Sequence, residues 1–85
     1  MNKTKKQAPP LHHIAGWYGS IAIISAYSLG SFNILEPDST VYQLINLTGA
    51  AGLFYLAYHL KIKESMFLNG FWVAIAAITL LRILL

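Results

Sequence analysis

The sequence predicts an all-α fold, a bundle of three transmembrane helices integral to a membrane. Three observations carry that expectation. Of 85 residues, 11% are charged and 56% hydrophobic, whereas an ordinary globular domain is about 25% charged. The charges are also unevenly spread: residues 14–35, 41–60 and 66–85 make up 62 positions and hold one formal charge, Arg82. Finally, each stretch has the roughly 20 apolar residues that an α-helix needs to cross a hydrocarbon core about 30 Å thick. A chain this short buries too little of its surface to hide that apolar content in water. A transmembrane β-barrel needs at least about eight strands of about ten residues each. The length excludes it, and runs such as Ile21-Ala22-Ile23-Ile24 do not alternate. With no cysteine, disulfides, thiolate metal sites and cysteine nucleophiles are excluded as well.

Residues 1–13 read as a basic cytoplasmic tail with Lys3, Lys5 and Lys6. Pro9-Pro10 closes it as a stiff, non-helical dipeptide, with helix 1 expected to begin just after. Residues 14–85 form the three-helix transmembrane domain. A basic tail before an apolar run also resembles a signal peptide, with Ser28-Leu29-Gly30 as a small-x-small cleavage site. The run is longer than a typical signal core, which favours a retained helix. Glu36-Pro37-Asp38-Ser39-Thr40 then supplies turn formers and N-caps, so that helices 1 and 2 are predicted to be antiparallel neighbours. Lys61-Ile62-Lys63-Glu64-Ser65 joins helices 2 and 3, with Ser65 as the expected N-cap.

Orientation follows from the lysines and arginines. Lys3, Lys5, Lys6, Lys61 and Lys63 share one side, and the other has Arg82 with Glu36 and Asp38. That bias puts the N-terminus in the cytoplasm of a multi-pass inner-membrane protein and the C-terminus in the periplasm or outside. The pI near 9.4 is thus a topology signal, and no nucleic-acid partner is expected. Trp17, Tyr18, Tyr55, Tyr58, Phe67 and Phe71 fall near the inner boundary and Tyr42 near the outer one, as an interfacial belt requires.

Within lipid, small and polar residues mark the faces that meet protein. Helix 1 carries Gly16, Ser20, Ile23, Tyr27, Ser31 and Ile34 on one stripe, with Gly30 beside it. Helix 2 carries Gln43, Asn46, Ala50, Leu53 and Ala57, with Gly49 and Gly52 adjoining. Helix 3 carries Asn69, Trp72, Ala76, Thr79 and Arg82. The stripes are read first as close helix packing with interhelical hydrogen bonds. They also admit a functional reading, in which Tyr27, Gln43, Asn46, Asn69 and Trp72 surround a small polar cavity, since amides below the interface need partners. Asn46 and Asn69 lie at different depths and are not expected to share a hydrogen bond.

Arg82, at the outer end, is expected to snorkel and to meet Glu36, Asp38 or the terminal carboxylate. His12, His13 and His59 gather at the inner boundary, but adjacent histidines diverge on regular structure, and no metal or other cofactor is expected. No paired carboxylates, activated nucleophile or phosphate-cradling loop is present, so the chain does not read as an enzyme.

The order Gly16-Trp17-Tyr18-Gly19, Ala26-Tyr27 with Ser31, Ser39 with Tyr42-Gln43, Asn46-Leu47, Gly49-Ala50, Ser65 with Leu68-Asn69, Trp72 and Leu81-Arg82 resembles a family of small bacterial inner-membrane proteins of uncharacterised function, some described as permease-like. The resemblance spans about residues 16 to 82 and implies three helices in a membrane. More distantly, Asn69 and Trp72 on a third helix are similar to the triple-helix half units of the SemiSWEET sugar transporters. That likeness implies helix 3 packed between helices 1 and 2, and Asn69 and Trp72 facing a substrate. The chain departs from it in having no proline within a span and in its N-inside orientation. Two functions are expected: a homodimer enclosing a polar cavity, a possible transporter of a small polar metabolite, or an accessory subunit bound to a larger membrane protein.

Overall fold

The computed structural model describes residues 9–85. The expected tail lysines Lys3, Lys5 and Lys6 lie outside the described residues. Three helices follow in order: α1 (Leu11–Ser31), α2 (Thr40–Leu60) and α3 (Lys63–Leu84). The fold is therefore all-α with three helices.

α1 starts directly after Pro9-Pro10, as expected. Pro10 is extended (φ −60°, ψ 152°) and has no side-chain cap; its carbonyl accepts from His13 and Ile14. The helix stops at Ser31, short of the expected residue 35. Asn33 adopts the left-handed conformation (φ 61°), the N–H of Ile34 donates back to Leu29 at 2.9 Å, and that of Asn33 donates to Gly30 at 3.1 Å. This is a Schellman closure, which asparagine tolerates better than most residues. α2 opens as predicted at Ser39, whose hydroxyl accepts from the Tyr42 N–H at 3.2 Å and donates to the Glu36 carbonyl at 2.7 Å.

The second turn is tighter than the sequence predicts. Lys61 takes the left-handed conformation (φ 58°) and the Ile62 N–H reaches back to Ala57 at 3.0 Å. α3 can then restart at Lys63, three residues before the expected position. Ser65 is consequently inside the helix and not its N-cap; Ile62 holds that position without a side-chain cap. Glu64 in the first turn complements the helix dipole instead.

α2 is the central helix. It packs against α1 on one side and α3 on the other, while the backbones of α1 and α3 make no close approach to each other. The expected insertion of helix 3 between helices 1 and 2 is therefore corrected. Its physical cause is the glycine surface that α2 turns toward α1. A Cβ on Gly19 would collide with the Gly49 carbonyl oxygen, and one on Gly52 would lie 2.5 Å from the Ala15 carbonyl oxygen. Only hydrogen at these positions lets the two backbones approach so closely, leaving no room for a third helix.

The buried face of α1 is Gly16, Gly19, Ala22 and Ala26. It is turned slightly from the expected Ser20–Ile23–Tyr27 stripe. On α2 the buried residues Asn46, Gly49, Ala50 and Ala57 follow the prediction. On α3 only Ala76 of the expected stripe is buried, joined by Leu80. Among the described residues no large side chain is fully buried, and Trp17, Ile21, Ile24, Phe67, Phe71 and Ile78 are all exposed.

By length and composition one described helix, Lys63–Leu84, suffices to cross a membrane, with mean hydropathy 1.9 over its most apolar window. That measure supports one of the three expected spans. α1 dilutes its apolar content with Gly16, Gly19, Ser20, Ser25 and Ser28, and α2 with Gln43, Asn46, Thr48, Gly49 and Gly52.

Candidate functional site

Because α1 and α3 flank α2 without meeting, they leave a cleft over its N-terminal half. A cavity of about 200 Å³ lies there, lined by Ile23 and Tyr27 of α1, Tyr42, Gln43 and Asn46 of α2, and Trp72, Ile75 and Ala76 of α3. Four of the five predicted site residues, Tyr27, Gln43, Asn46 and Trp72, thus meet at one place. Asn69 does not line it; its amide nitrogen donates to the Ser65 carbonyl at 2.9 Å, closing on its own helix nearer the opposite end. As expected, Asn46 and Asn69 share no hydrogen bond.

Asn46 is the buried polar centre, 8% exposed. Its Nδ2 donates to the Tyr42 carbonyl at 3.3 Å, which fixes the amide orientation because a carbonyl can only accept. The Asn46 Oδ1 has no partner among the described residues. Gln43 is held similarly: its Nε2 donates to the Pro37 carbonyl at 2.8 Å and ties the acidic turn to the cavity wall. Tyr27 is 70% exposed and Trp72 47%, so the aromatic rim stands open.

Ile23 and Ala76 were on the predicted stripes, whereas Tyr42 was assigned to the interfacial belt and missed. The signal for it was Gly30. A Cβ there would lie 2.9 Å from the Tyr42 ring, so the glycine admits the phenol between α1 and α2. Arg82 is exposed in the last turn of α3, where a cation complements the helix dipole.

A second cluster lies at the other end of the α1–α2 contact. The His12 and His59 rings stack at 4.5 Å and 7°, and Tyr55 meets His59 edge-on at 4.7 Å. His13 is tilted against His12 at 4.9 Å. Desolvation lowers the His12 pKa below its ordinary value of 6.5, with further lowering from His59 and then His13. The stacked rings present faces to each other instead of converging nitrogens on a point.

Together the fold and the cleft define a class: an all-α three-helix protein whose central helix carries a buried amide into an open cavity walled mainly by aromatic and aliphatic side chains. A protein-family model matches residues 12–85, and the chain belongs to that family, which is of uncharacterised type. This agrees with the small bacterial family that its residue order resembles. No curated protein and no solved structure matches the chain, and nothing found relates it to the SemiSWEET transporters.

Proposed function

We propose that the protein is a three-span inner-membrane protein, N-terminus inside, that works as a homo-oligomer around a polar intramembrane cavity and binds or carries a small polar molecule. The convergence of Tyr27, Gln43, Asn46 and Trp72 on one cavity from three helices carries this reading. The membrane setting is supported by the exposed apolar side chains of all three helices, which form a surface far larger than soluble monomers tolerate. The buried core is five alanines and Leu80 beside Asn46; a buried methyl contributes only about 0.8 kcal/mol, too little to hold three helices together in water. Self-association is supported by the open rim, since a second copy laid over Tyr27 and Trp72 closes the cleft that α1 and α3 leave open.

The test is made on purified protein in mild detergent. The expected result is a dimer by light scattering, and loss of uptake or of ligand-induced stabilisation in Asn46→Leu and Trp72→Leu. A monomer that co-purifies with no small molecule overturns the reading. The exposed outer faces of α1 and α3 favour a second one, an accessory subunit seated against a larger membrane protein. In that case Asn46→Leu leaves association with the partner intact.

A further inference from the structure

The cavity's hydrogen-bonding groups are not neutral in what they offer. Asn46 and Gln43 each donate one amide N–H to a backbone carbonyl, of Tyr42 and Pro37. What is left over on each is one N–H and a carbonyl oxygen, Oδ1 or Oε1, which can only accept. The Asn46 oxygen is carried by a side chain more than nine-tenths buried and is unpartnered among the described residues, so leaving it unfilled is costly. A ligand that satisfies it must bring an N–H or O–H donor.

The walls narrow the choice further. Tyr27, Tyr42 and Trp72 put three aromatic rings around a space of about 200 Å³, and no charged side chain lines it. Aromatic faces attract cations and repel anions through the ring quadrupole. The surroundings lean the same way. Gln43 anchors the turn bearing Glu36 and Asp38, and α1 and α3 both end on this side, presenting their negative dipole ends, against a single α2 N-terminus. Arg82, in the last turn of α3, is six residues beyond Ala76 and about 9 Å further along the axis.

We propose that the cavity takes a small organic cation bearing N–H donors, a protonated amine, held by the Asn46 and Gln43 oxygens among the rings of Tyr27, Tyr42 and Trp72. This rests on the cavity reading above. The amine's N–H groups supply the missing donors, and its charge is balanced by ring faces and carbonyl dipoles with no carboxylate in contact. An anion finds no cationic side chain in the lining to balance its charge.

The experiment uses the full chain in detergent and four probes of similar size: ethanolammonium, tetramethylammonium, ethylene glycol and glycolate. Binding is followed by tryptophan fluorescence and by thermal shift. Ethanolammonium is expected to bind, tetramethylammonium to bind at least about tenfold more weakly because it has no N–H, and ethylene glycol and glycolate not to bind. Asn46→Leu should weaken ethanolammonium by about tenfold or more while leaving tetramethylammonium nearly unchanged. Trp72→Leu should weaken both cations, which gives a second route if the Asn46 variant fails to fold. Binding of ethylene glycol or glycolate in preference to the cations overturns the ligand class and leaves the cavity reading standing. If none of the four binds, both fall.

Discussion

The two faces of α2 are built differently. Toward α1 the contact is backbone against backbone, through Gly19 with Gly49 and Gly52 with Ala15. It is fastened by a phenol–hydroxyl bond, Tyr18 to Thr48 at 2.6 Å, and by the His12–His59 stack. The Thr48 hydroxyl already donates to the Leu44 carbonyl at 2.9 Å, so Tyr18 is the donor between helices. Toward α3 the contact is side chain against backbone. Gly70 faces the Phe54 ring, and a cavity of about 310 Å³ remains among Ala51, Phe54, Gly70 and Val73. No side-chain hydrogen bond joins α2 to α3 among the described residues. Backbone packed on backbone leaves little that can shift, whereas a contact that ends on one flexible ring beside an open groove can adjust. α1 and α2 therefore form the rigid half, and α3, which brings Trp72 to the cavity, is the half that can move.

Four measurements can break or sharpen this contrast. Gly19→Ala drives a methyl into a backbone oxygen that no rotamer change can clear, and should cost about 1–3 kcal/mol. Gly70→Ala places its methyl 3.3 Å from the Phe54 ring, which can turn aside, and should cost under about 1 kcal/mol. Equal losses in denaturant titrations of the detergent-solubilised protein, followed by circular dichroism, would remove the distinction between the two faces. Lys61→Gly relieves the left-handed strain in the α2–α3 turn and should stabilise the looser half by about 1 kcal/mol. Tyr18→Phe should cost about 0.6 kcal/mol, the average for hydrogen bonds between helices in membranes.

The smallest effect is electrostatic. The His12 pKa is depressed, so the folded protein binds fewer protons there than the unfolded chain. Stability from this group is present above pH about 6.5 and is lost as the pH falls through the lower folded value. Protection factors, in which the base-catalysed intrinsic exchange rate is divided out, should therefore fall at the α1–α2 end near His59 as pH is taken from 8 to 5, and remain unchanged along α3. His12→Phe, which keeps an aromatic ring at the stack, should flatten the profile.

Much of this was legible in the residues. The three apolar stretches, the Pro10 start, the Ser39 cap and the small-residue face of α2 each follow from a local chemical preference. Four of the five residues predicted for the site line the cavity, and they were found because a polar side chain in an apolar helix needs a partner. What escaped depended on geometry between segments. Asn33 and Lys61 end their helices in left-handed conformations that neither residue requires, so the end of α1 and the start of α3 were misjudged. Asn69 looked like Asn46, and both amides donate to the carbonyl four residues back; only the position along the bundle separates the one that lines the cleft from the one that does not. α2's place in the middle was written in its two adjoining small faces, Gly49 with Gly52 and Ala50 with Ala57, but one helix's periodicity does not say which neighbour takes which face.

That the backbones of α1 and α3 stay apart has a thermodynamic corollary. Substitutions on the two helices should add independently in the empty protein, within about 0.3–0.5 kcal/mol. A molecule gripped at once by Tyr27 and Trp72 would link them directly, without passing through α2, and the energies would cease to add. Non-additivity across an empty gap is thus a way to detect an occupant before it has been identified.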